Sequence, residues 1–166
     1  MKIVFTVLAL WAMLSVEEPS SFGKDYDYVE QLFDVRGLIT DHGKLMPSAI
    51  KETTGNDLRT LERIFELNTS TLTTIEAYFR ILMITLSTKS ETNEQAVKIL
   101  NEWLTFTNNQ CAYDIEYLDS TLAETSDDTV IEQIQTAKHN AQKLSEILQL
   151  GIKENLRLLI SKPVKS

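Results

Sequence analysis

The sequence predicts an all-α fold: an elongated antiparallel helical bundle with three long helices, about 57–88, 92–124 and 128–161, and two short N-terminal helices, 25–41 and 47–54. Three observations predict it. Apolar residues recur in alternating steps of three and four through most of the chain, the pattern of helices packed nearly parallel or antiparallel. The links between the long segments are short, which makes sequential helices antiparallel neighbours and excludes the long crossovers of up-up-down-down bundles for this part of the chain. No Val/Ile-rich alternation bounded by turn residues is present to suggest a sheet.

Length and composition bound the rest. The chain has 166 residues, 16 basic and 24 acidic side chains, and a formal charge of −8. That length suits one domain with a sizeable core. The acidic balance lacks the basic footprint of a nucleic-acid binder. One cysteine excludes an intrachain disulfide framework and a Cys-rich zinc module.

Lys2 precedes an apolar run from Ile3 to Leu14 that is too short to span a bilayer. A basic residue followed by such a run has the form of a secretory signal peptide. Cleavage is expected between Val16 and Gly23, leaving 24–166 as a single helical domain with a charge of −7. The expected protein is secreted and extracellular, without stable membrane insertion.

The first mature segment carries Val29, Leu32, Phe33, Val35, Leu38 and Ile39 as a helical stripe, with Gly43 as its stop. Pro47 suits the first turn of the next short helix, which Gly55-Asn56 interrupts. The first long helix follows a seam of Leu58, Leu61, Phe65, Asn68, Leu72, Ile75, Phe79, Leu82 and Leu86. The second opens on a capping box, Thr92 to Gln95, and runs through Val97, Leu100, Leu104, Thr107, Cys111, Ile115, Leu118 and Leu122. Its two successive steps of four, Thr107 to Cys111 to Ile115, imply a stutter. The third begins near Asp127-Asp128-Thr129, with Glu132 placed for another capping box, and Pro163 lies beyond its end. Gly151 within it marks a possible bend.

Catalytic patterns are absent from the sequence: there is no H-E-x-x-H, C-x-x-C, G-x-S-x-G, Walker A or G-x-G-x-x-G, and the only histidines are His42 and His139. We expect no enzyme activity, no catalytic or metal site and no cofactor. The sharpest asymmetry is electrostatic. From Ile99 to Ala137 there is no Lys or Arg, and Asp114, Glu116, Asp119 and Glu124 form a candidate acidic interaction face. Trp103, Tyr113 and Tyr117 are candidate aromatic anchors beside it. A charge run of this kind also serves simply to solvate a helix.

Asn68-Thr69-Ser70 is the one N-glycosylation sequon, yet the heptad places Asn68 on the buried seam. Two readings are open: a break near 68–71 that exposes Asn68 to a glycan, or a continuous helix with Asn68 as a buried polar register device. The Thr-rich stretch favours the break; the unbroken stepping favours continuity, which we adopt. Cys111 keeps step with Leu104 and Leu118 and is expected to be buried.

Two functional classes fit these features. One is an interaction protein that presents rigid helix faces to an extracellular protein or cell-surface receptor. The other is a carrier of lipid or another small apolar ligand held between the helices. A short leader, an acidic mature chain of this size and a helical pattern without disulfides together resemble the small salivary proteins of blood-feeding insects. The resemblance lies in general organisation and rests on no motif. It implies a host-modulating protein acting on immune cells, such as leukocytes and neutrophils, or on haemostasis.

Overall fold

A computed structural model describes residues 27–87 and 93–160. Four helices account for nearly all of them: α1, Asp27–Glu52; α2, Gly55–Ser87; α3, Asn93–Leu122; and α4, Asp128–Ile160. The described residues include no strand. The expected leader and Thr92, the expected cap of α3, lie outside them.

The three long helices fall where the heptad stepping placed them. The N-terminal region does not: one helix, α1, replaces the two short ones, running through both Gly43 and Pro47. Pro47 has no amide hydrogen to give to the carbonyl four residues back, which is that of Gly43 itself. The loss is outweighed by packing, because Ile39, His42, Met46 and Ala49 are all buried and continue the three-four stepping across both positions. The chain reverses later, at Thr53-Thr54. There Thr53 Oγ1 donates to the Ala49 carbonyl at 2.8 Å, and Gly55 adopts φ of 72°, a left-handed conformation that glycine enters without steric cost.

Pairs between helices adjacent around the bundle run in opposite numerical order, which makes them antiparallel. Tyr28, Arg36 and His42 of α1 meet Tyr78, Glu76 and Asn68 of α2. Asn108 and Asp119 of α3 meet Ser145 and Lys138 of α4. Packing links α1 with α2 and α4, and α3 with the same two helices; α2 and α4 touch across one diagonal while α1 and α3 stand apart on the other. The result is an up-down-up-down four-helix bundle.

Two apolar clusters fill it. One surrounds Tyr28, Leu32, Phe79, Leu82, Leu104 and Leu144, with Phe33 stacked on Phe79 at a centroid distance of 4.0 Å. The other, at the opposite end, gathers Met46, Leu61, Ile64, Leu118, Val130 and Ile134. Each of these fully buried aliphatic side chains contributes on the order of 1.5–3 kcal/mol relative to exposure.

The Thr-rich stretch of α2 remains helical. Thr69, Thr73 and Thr74 return their hydroxyls to the carbonyls of Phe65, Thr69 and Ser70, at 2.8–3.0 Å, a bonding mode that keeps such residues within a helix. At the start of α4 the cap is Asp127, whose Oδ1 accepts from the Val130 amide at 3.0 Å. The expected box with Glu132 would need a helix beginning two residues later. Asp127 wins because its carboxylate also sits at the positive end of the helix dipole.

Candidate interaction surface

Between the two apolar clusters lies a polar layer. His42 of α1, Asn68 of α2 and Gln133 of α4 meet there, the first two buried and Gln133 half-buried. Asn68 Nδ2 donates to His42 Nδ1 at 3.1 Å, and His42 Nε2 donates to Gln133 Oε1 at 3.1 Å. The network closes with a neutral imidazole. Burial lowers the His42 pKa below its usual 6.5, against the opposing pull of the hydrogen bonds to Gln133 and Asn68. Asn68 is therefore on the seam of a continuous helix and only 6% exposed.

Cys111 and Asp114 of α3 face the same layer across a space of about 20 Å3, which Asn68, Asn140 and Leu144 help to line. That volume is comparable to one water molecule. The Cys111 thiol is pushed up to about 12 by burial and then by the neighbouring Asp114 charge.

Asp114 is the one candidate that leaves the acidic face. It is 9% exposed and occupies the seam position between Cys111 and Leu118, while Ile115 is only half-buried. The expected stutter is thus absent: the steps run Thr107, Cys111, Asp114, Leu118. The sequence pattern places Asp114 on the solvent face because a carboxylate is a costly core residue. Here Gln110 Nε2 donates to its Oδ1 at 3.0 Å. Burial still raises its pKa, against that hydrogen bond and the positive charge of Arg63.

The other acids do lie outside. Glu116, Asp119 and Glu124 are exposed, and Asp119 accepts an ion pair from Lys138 of α4. Among the aromatic candidates, Tyr113 is 69% exposed and Tyr117 37%, whereas Trp103 packs its ring partly against the first apolar cluster.

The structure adds two residues to this group: Phe106, 66% exposed, and Ile99, 46% exposed. Together they form a second stripe on α3, Ile99, Trp103, Phe106, Gln110, Tyr113 and Tyr117, again in steps of four and three. It is offset from the core seam by about a third of a turn of the helical wheel. Two depressions flank Phe106. One, of about 310 Å3, lies between α2 and α3 among Arg63, Ser70, Thr74, Gln110 and Asp114. The other, of about 370 Å3, is a shallow dish bounded by Asn109, Ala112 and Tyr113. The signal for Phe106 and Ile99 was present in the sequence as a second periodicity, masked by the stronger one that specifies the core.

No protein-family model matches the chain, and neither a curated protein nor a solved structure does. Among the described residues no helix is long and apolar enough to cross a membrane.

Proposed function

We propose that the protein is a secreted, non-enzymatic interaction protein that presents the outer face of α3 to an extracellular protein or cell-surface receptor. The observation that carries this reading is the heptad-spaced stripe from Ile99 to Tyr117, in which Ile99, Phe106, Tyr113 and Tyr117 are held in water while Trp103 alone also packs against the core. Contiguous exposed apolar side chains are unfavourable unless something covers them. Tyr and Trp supply large contact areas at low entropic cost, which suits them to anchor an interface. Export is supported by the leader-like segment at 1–23. The resemblance to salivary proteins of blood-feeding insects points to host leukocytes, including neutrophils, or to haemostatic factors as the setting.

The carrier alternative draws less support. The interior spaces lined by Asn68 and Leu144 and by Leu32 and Leu148 hold about 20 and about 10 Å3, far below the 300 Å3 or more typical of ligand pockets. To seat a lipid in either of these two spaces, the bundle would have to open.

The test is photo-crosslinking of the mature protein, secreted from insect cells, to intact leukocytes and plasma proteins. Benzoylphenylalanine replaces Tyr113 in one sample and the exposed Lys143 of α4 in the other. A protein adduct specific to position 113 is expected. Equal labelling from both positions, or lipid bound to the purified protein in native mass spectrometry, would overturn the reading.

A further inference from the structure

Resting on that reading, we infer that the occupant of the α3 face is a basic amphipathic helix of the partner protein, laid along the Ile99–Tyr117 stripe beside the α2–α3 groove.

The spacing selects a helix. Residues repeating at three and four along one helix meet a second helix that crosses at a shallow angle, each side chain entering a gap between others. An extended strand presents its side chains at a period of two and matches this stripe nowhere. From Ile99 to Tyr117 the stripe is about 27 Å long, some five turns. The depressions on either side of Phe106 supply gaps for incoming apolar side chains.

Charge selects the kind of helix. Glu102 stands one turn from both Ile99 and Phe106, and Glu116 one turn from Tyr113. Both are exposed, and neither belongs to an ion pair among the described residues. From Ile99 to the end of α3 there is no basic residue. On the facing wall of the groove, the Arg63 charge is matched by Glu66 at 3.2 Å. A second copy of the chain would set Glu102 and Glu116 against the same carboxylates, and an anionic membrane would be repelled. Lys or Arg residues flanking the apolar face of a partner helix would meet the exposed carboxylates of Glu102 and Glu116 on this edge, where Lys98, one turn before Glu102, forms no ion pair among the described residues.

The probe is a synthetic amphipathic peptide of about three heptads with Leu at positions a and d and Lys at e and g. Its controls are a twin with Glu at e and g and a scrambled peptide of the same composition. Binding is read by fluorescence anisotropy at physiological ionic strength. The Lys peptide should bind at least about tenfold more tightly than either control, a difference of about 1.4 kcal/mol. Phe106→Ser and Tyr113→Ser should each weaken it severalfold without altering the thermal melt, because both side chains lie outside the core.

Equal binding of the scrambled peptide would reduce the effect to net charge and overturn the inference. So would unchanged binding by both variants, or a dimer in sedimentation that Phe106→Ser dissolves. The crosslinking experiment separates the two levels. A position-113 adduct whose attached segment is not a basic helix removes this inference and leaves the interaction reading standing, whereas the absence of any specific adduct removes both.

Discussion

Tyr28, in the first turn of α1, packs its ring against the bare backbone of Gly151 in α4. A methyl group at Gly151 would stand 2.7 Å from Tyr28 Cδ2, 2.8 Å from Cε2 and 3.1 Å from Leu104 Cδ1. The same ring places its hydroxyl 2.5 Å from that of Tyr78, so it has little freedom to withdraw. Gly151 thus lets three helices converge, and α4 continues through it.

Gly151→Ala should therefore destabilise the protein although alanine is the better helix former. Overpacking costs about 1–3 kcal/mol, against a helix-propensity gain of up to about 1 kcal/mol. Urea denaturation should give a lower midpoint with an unchanged slope. In a Tyr28→Ala background the same change should cost nothing or stabilise; an equal penalty in both backgrounds would show that the Tyr28 contact is not its cause.

Asp114→Asn should be neutral or stabilising at pH 7. The raised carboxyl pKa means that its ionised form is disfavoured in the fold, so the penalty is full above the raised folded value and is relieved as the pH falls through it toward the unfolded value of 3.8. Asparagine keeps an oxygen for Gln110 and removes the charge. Melting temperatures of the two proteins should converge toward pH 3.5 and separate by pH 7.

His42 gives the opposite dependence. Its folded pKa lies below 6.5, so the network contributes fully above the unfolded value and loses stability as the pH falls through and below it. Protonating Nδ1 also removes the acceptor that Asn68 uses. Stability should decline between pH 7 and pH 5, and His42→Gln should flatten that part of the profile. A curve that is flat there in an Asp114→Asn background, where the opposing carboxylate contribution is removed, would exclude a buried neutral imidazole.

Cys111 should resist thiol reagents in the folded state. It is buried, and its thiol is pushed to about 12, so the reactive thiolate is scarce at neutral pH. Ellman's reagent should label it only in denaturant, and the protein should show no disulfide-linked dimer on non-reducing gels. Rapid labelling without denaturant would mean that the α2–α3 groove opens down to the polar layer.

Protein secreted from insect cells should carry no glycan at Asn68, since that side chain is enclosed with His42. A glycan-sized mass increment at this position would contradict closure of the bundle over the sequon.

The three long helices were legible because their seams repeat in three-four steps over many turns. Asn68 illustrates how the periodicity outweighed a local signal: the sequon and the threonines pointed to a break, and the spacing placed the residue inside. Gly43 and Pro47 show the converse. Both are strong local punctuation and predict a stop and a start, whereas the stripe through His42, Met46 and Ala49 contains a histidine and an alanine and is weak as a core pattern. Asp114 was misplaced for a related reason, since nothing in the sequence announces that Gln110 will supply its hydrogen bond. On the surface, Tyr113 and Tyr117 stand out in the sequence by their place among acidic residues, whereas Phe106 and Ile99 need the burial pattern to be separated from the core.

The two stripes of α3 have a consequence for how such a protein can change. Apart from Trp103, and from Gln110 with its hydrogen bond to Asp114, the residues that hold α3 in the bundle and those that it turns outward are different ones. Substitutions at Ile99, Phe106 or Tyr113 should leave the interior intact, so the outer face can be rewritten at nearly constant folding stability, and Glu102 and Glu116 can be exchanged as freely. The bundle is in this respect a chassis: one edge of one helix can vary while the remainder stays fixed.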